Sequence, residues 1–100
     1  MLHTVNKSPF ERNALYTCLR LAKKGSAILL IEDGVYAALA DTGMSEKVSS
    51  RMDDFKFYVL GPDVETRGLG DSTLIDGVTV VDYNGFVDLA AEHSAVHSWL

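Results

Sequence analysis

Ala27-Ile28-Leu29-Leu30-Ile31 is a continuous apolar run with no polar alternation. A strand with one face in water alternates, so this run predicts a strand covered on both faces, as in a parallel sheet lying between helices. Lys56-Phe57-Tyr58-Val59-Leu60 and the β-branched Val78-Thr79-Val80-Val81 read as further strands, and Leu2-His3-Thr4-Val5 as a short first one. Parallel neighbours need crossovers, and helix signals fall between the strands. Ser8-Pro9-Phe10-Glu11 has the form of a capping box with proline at the first helical position. With Leu15, Leu19 and Ala22 on one face and Gly25 as terminator, it predicts a helix over roughly 9–24. A short helix capped by Asp33 is expected over 35–40, a weaker one along Met44, Val48 and Met52, and another after Gly61-Pro62 that Gly68 closes. Residues 68–77 read as loop, and Phe86, Leu89, Ala90, His93 and His97 as a last helix finishing near Trp99. The expected fold is α/β: a small open sheet, mainly parallel, flanked by helices on both faces. At 100 residues the chain, 1–100, is read as a single domain.

The longest apolar run, Val35 to Ala40, falls far short of the roughly 20 residues that span a bilayer, so no membrane association is expected. The N-terminal residues lack the basic and long apolar regions of a secretory signal, and a cytoplasmic location is expected. One cysteine, Cys18, cannot form an intrachain disulfide or a thiolate metal site, which excludes thioredoxin-like and zinc-ribbon functions. All nine Lys and Arg lie between Lys7 and Arg67, balanced there by nine Asp and Glu, and residues 68–100 carry the whole net charge of −5. An acidic surface of this kind repels phosphate backbones, so direct nucleic-acid binding is not expected.

Nucleotide loops fail on spacing. Gly68-Leu69-Gly70 is followed by Thr73 where a third glycine would stand, and no glycine-rich loop ends in Lys-Ser or Lys-Thr. A phosphoacceptor site would need clustered carboxylates after the first and third strands, where Asn6-Lys7 and Gly61-Pro62 stand instead. Glu32, Asp33 and Asp82 do gather at strand ends, in the first instance as helix caps and turn formers. His93 and His97, at helical i, i+4 spacing, could face one metal, but no third ligand is evident and no metal or cofactor is expected. His3 in its strand reads as a satisfied core histidine. No Gly-x-Ser-x-Gly elbow is present. Cys18, among apolar helix neighbours and far from the helix start, reads first as a small buried hydrophobe.

Leu2-His3-Thr4-Val5 with Ser8-Pro9, Glu32-Asp33-Gly34-Val35-Tyr36-Ala37-Ala38, Tyr58-Val59-Leu60 with Asp63, Arg67-Gly68, and Val81-Asp82-Tyr83 with Gly85-Phe86-Val87-Asp88-Leu89 together resemble the DsrH/TusB family, with the likeness strongest toward DsrH. The resemblance implies a DsrE-like fold. It also implies a subunit of a cytoplasmic sulfur-relay complex, with DsrE/TusD-like and DsrF/TusC-like partners in a doubled heterotrimer. Such complexes pass persulfide sulfur to or from a DsrC/TusE-like carrier, in sulfur oxidation or in synthesis of tRNA 2-thiouridine. Cys18 matches a cysteine position of DsrH proteins, which makes it the candidate persulfide carrier and tilts the expectation toward sulfur oxidation. The family's principal sulfur-accepting cysteine belongs to another subunit, which leaves an architectural role for this one.

The alternative is an independent, flavodoxin-like small-ligand binder using the crevice near Glu32, Asp33 and Asp82. Co-purifying subunits would favour the relay, and a monomer holding a flavin or nucleotide the binder.

Overall fold

The computed structural model describes all 100 residues. Strands β1 (Leu2–Val5), β2 (Ala27–Leu30), β3 (Lys56–Leu60), β4 (Thr79–Val81) and β5 (Val96–Trp99) form one parallel sheet in the order β4-β3-β2-β1-β5. The connections hold α1 (Ala14–Leu21), a 3₁₀ helix (Glu32–Ala38), α2 (Ser45–Ser49), α3 (Gly61–Thr66) and α4 (Tyr83–Glu92).

Crossover handedness explains the layering. From β1 to β4 each strand is laid on the same side of the last, so right-handed connections stack α1, the 3₁₀ helix, α2 and α3 on one face. The return from β4 to β5 runs the other way and places α4 alone on the opposite face. The larger core accordingly joins Leu15, Cys18 and Leu19 of α1 with Val35, Val48 and Val64 over Val5, Ile28, Leu30, Phe57 and Val59. The smaller one packs Leu89, with Phe86 and Ala90, on Leu2, Ala27 and Leu29. All four residues of β2 are buried, as its unbroken apolar run requires. Each fully buried leucine or isoleucine there contributes roughly 1.5–3 kcal/mol.

Three expectations need correction. The helix expected over 9–24 is α1, Ala14–Leu21. The Ser8 carbonyl accepts from the N–H groups of Glu11 and Arg12 and its hydroxyl from Phe10 N–H, so the apparent capping box makes a local turn instead. Ala22 turns extended and ends α1 before Lys23. The helix expected over 35–40 is the 3₁₀ helix Glu32–Ala38, because Leu39 leaves to bridge antiparallel to Leu74 in the 68–77 loop. The last helix stops at Glu92, and Val96–Trp99 forms β5, paired residue for residue with β1. The unpaired edge of β1 overrides the helical spacing of the C-terminal apolar residues.

Gly34 fixes how the 3₁₀ helix meets the sheet. A Cβ there would lie 2.1 Å from the Val5 carbonyl oxygen, which is backbone and cannot move aside. Gly34→Ala is therefore expected to destabilise the fold by about 3 kcal/mol, read as a lower urea midpoint. An unchanged midpoint would show that the 3₁₀ helix can shift off the end of β1 freely.

Candidate functional site

The carboxyl ends of β1, β2 and β3 bring together most of the segments that carry the resemblance, while Val81–Leu89 lies on β4 and α4. Val5 carbonyl accepts from Ile31 N–H at 3.0 Å, which closes β2 against β1 and delivers Glu32 to the sheet's rim. Glu32 has φ +50°, a left-handed conformation costly for a residue with a Cβ. Its N–H is held by the Asp63 carboxylate at 2.6 Å, a charge-assisted bond from the start of α3. One helical turn on, Arg67 Nε donates to Asp33 Oδ1 at 2.8 Å. That bond is the main cause of the upward shift of the Arg67 pKa, with the charges of Asp33 and Asp63 adding to it. Asp63 and Arg67 thus tie α3 to the 3₁₀ helix at two points. A cleft of about 340 Å³ opens beside them, lined by Ser8, Phe10, Glu11, Asp33 and Tyr36.

The three carboxylates singled out from the sequence do not form one crevice. Asp33 is engaged by Arg67. Asp82 caps α4, accepting from Gly85 N–H at 2.8 Å, and lines a separate shallow cleft with Gly61, Pro62 and Val81. Glu32 contributes backbone geometry. The capping and turn-forming roles account for Asp82 and Glu32, and an ion pair for Asp33.

Cys18 lies on the inner face of α1 with no exposed surface. Burial pushes its thiol up to about 12. The closed core thus favours the protonated thiol over the thiolate. It packs in the core with Leu15, Leu19, Ile28 and Leu30.

His93 and His97 do not share a helix face, because His93 ends α4 and His97 stands in β5. His97 pairs instead with His3 across β1 and β5, their ring centres 5.9 Å apart. His3 is buried, and its Nδ1 accepts from Trp99 Nε1 at 3.0 Å, which places the ring proton on Nε2. It is the satisfied core histidine read from the sequence. Burial first, and then the charges of His97 and the N-terminus, lower its pKa. The β-register that makes this cluster follows from β5, which the sequence pattern hid. The alternation of His97 and Trp99, two apart, was its available signal.

A parallel five-stranded sheet with one helix on one face and four helical segments on the other is an α/β fold shared with solved structures. The ychN protein from E. coli matches with a TM-score of 0.79 at 19% identity, over 98% of this chain and 97% of that one. A protein of unknown function, MTH1491 from Methanobacterium thermoautotrophicum, matches at 0.73 with 21% identity, over 97% and 95% of the two chains. A family model described as DsrH like protein covers residues 7–96. Proteins named TusB are 38% identical in Pectobacterium parmentieri and 37% identical in Shigella flexneri, each over 99% of this chain and 100% of the relative. The chain belongs to the DsrH/TusB family, the family of sulfur-relay complex subunits.

Two measurements follow from the site. Asp63→Ala removes the acceptor that holds Glu32 and should cost about 1 kcal/mol, read in thermal melts against an Asp63→Asn control that keeps an oxygen. Equal loss in both variants would assign the effect to the charge alone. His3 in the unfolded chain titrates near its ordinary value of about 6.5, whereas the folded value is lower. The unfolded state therefore binds more protons as pH falls through 6.5, so stability present above that pH is lost below it. The urea midpoint followed by Trp99 fluorescence should drop between pH 7.5 and 5.5, and His3→Gln, which retains an acceptor, should flatten that dependence. A wild-type midpoint that does not move would refute it.

Proposed function

We propose that this chain is a structural subunit of a cytoplasmic sulfurtransferase complex that passes persulfide sulfur to or from a DsrC/TusE-like carrier. Its partners in this reading are DsrE/TusD-like and DsrF/TusC-like chains in a doubled heterotrimer. The observation that carries the reading is similarity to TusB proteins along the whole chain. The TusB relatives support the tRNA 2-thiouridine branch over the sulfur oxidation toward which Cys18 pointed. Burial of Cys18 supports a core role for its thiol, with this subunit positioning a partner's cysteine. A carrier role for Cys18 would require α1 to open.

Assembly is tested by co-expression with DsrE/TusD-like and DsrF/TusC-like chains and native mass spectrometry. A stable complex of the three chains is expected, and a monomer retaining a flavin or nucleotide would replace this reading with the small-ligand binder. Cys18→Ala is expected to cost about 1 kcal/mol in stability and leave sulfur transfer by the assembled complex intact. A 32 Da adduct on Cys18 after exposure to a persulfide donor, lost together with transfer in the variant, would instead make Cys18 the carrier.

A further inference from the structure

The face of α1 that turns away from the sheet meets α2 along a groove. Two hollows of about 300 and 250 Å³ form it, both lined by Tyr16 and Lys47. Leu19, almost wholly buried, forms its apolar floor, and Arg12, Arg20 and Arg51 complete a cationic rim. Of the four cations, Arg51 is paired with Asp54 at 2.7 Å, while Arg12, Arg20 and Lys47 have no salt bridge. Tyr16 is half exposed, and the Lys47 ammonium sits 5.0 Å from its ring centre. Four of the nine cations are thereby collected on one face of a molecule whose net charge is −5.

We propose that this groove docks a short acidic segment of a partner protein, carrying at least one apolar side chain between its carboxylates. The shape sets its length. Within α1, Tyr16 and Arg20 are one turn apart, about 6 Å at the helical rise, and Arg12 extends the groove beyond the helix start, so a segment of a few extended residues spans it. Carboxylates match the guanidinium forks of Arg12 and Arg20, and an apolar side chain matches the surface of Leu19 and Tyr16. A single-stranded nucleic acid fits less well. Its bases would need a free aromatic face, and Lys47 already lies over the Tyr16 ring. Its further phosphates would also meet a molecule of net negative charge. The surface is independent of sulfur chemistry and goes beyond the relay reading, since it uses only the charge and form of the α1–α2 face.

The test uses the full chain and a fluorescein-labelled hexapeptide of alternating glutamate and leucine, with hexaglutamate, a twelve-nucleotide oligouridylate and sedimentation of the chain alone as the other arms. Saturable binding of the Glu/Leu peptide is expected, with amide shift changes confined to residues 12–20 and 44–51 and weakening as salt rises. Arg20→Glu with Lys47→Glu should reduce affinity at least tenfold at an unchanged melting temperature, and the milder Arg20→Ala with Lys47→Ala serves if the reversals unfold the chain. No saturation by millimolar peptide, or shifts elsewhere, would overturn the proposal. Hexaglutamate binding as well as the Glu/Leu peptide would remove the apolar element and overturn it too. Tighter binding of the oligouridylate would make the groove a nucleic-acid site, and self-association abolished by the reversals would give it to a second copy; either result rejects the proposal.

Discussion

The Val5 carbonyl is the point on which this molecule turns. It accepts the Ile31 N–H that closes β2 onto β1, and Gly34 lies against it with no room for a side chain. Because backbone meets backbone there, the 3₁₀ helix is pinned at a fixed height over the sheet. Asp33, Tyr36 and the strained Glu32 take their positions from that height, and Asp63 and Arg67 can then reach across from α3. A close approach that only glycine permits thus organises charged contacts spread over more than thirty residues of sequence.

Those contacts are individually modest. Arg67 and Asp33 are partly in water, where an ion pair of this kind contributes little on its own. Their effect is geometric: they set the angle between α3 and the 3₁₀ helix at the carboxyl end of the sheet. The sole buried polar side-chain atom without a hydrogen-bond partner, Asn6 Oδ1, also lies here, one residue beyond β1. Cys18, by contrast, belongs to the packed interior. Its surroundings are those of Leu15 and Leu19, and the same burial that makes it a good core residue disfavours its thiolate.

Much of this was legible in the sequence because strong local signals agreed with the global fold. The unbroken apolar run of β2 named a doubly covered strand of a parallel sheet, the residues of β3 named another strand, and Asp82 announced the start of α4. Local signals failed where a distant partner decided the outcome. Val96–Trp99 carries a helix-compatible spacing, and only the vacant edge of β1 makes it a strand. Ser8-Pro9-Phe10-Glu11 has the letters of a helix start, but its hydrogen bonds stay within a turn. For the carboxylates, residue type was informative and convergence was not: Asp33 and Asp82 stand at strand ends on separate clefts. The cationic groove was hidden by a charge sum of zero over residues 1–67, although Tyr16 and Arg20 at four-residue spacing did mark one face of α1.

The placement of β5 also has a kinetic side. β1 precedes the other four strands, yet one of its two neighbours is β5, about ninety residues later. Contacts this distant in sequence are slow to form because a long loop must close first. On the ribosome, β1 and β2 can pair early, but the outer edge of β1, with its row of unsatisfied amides and carbonyls, stays open until β5 is made. A chain interrupted before Val96 would hold a largely formed sheet with a permanently sticky edge. Such truncated products should be prone to edge-to-edge aggregation even though most of the core residues are already present.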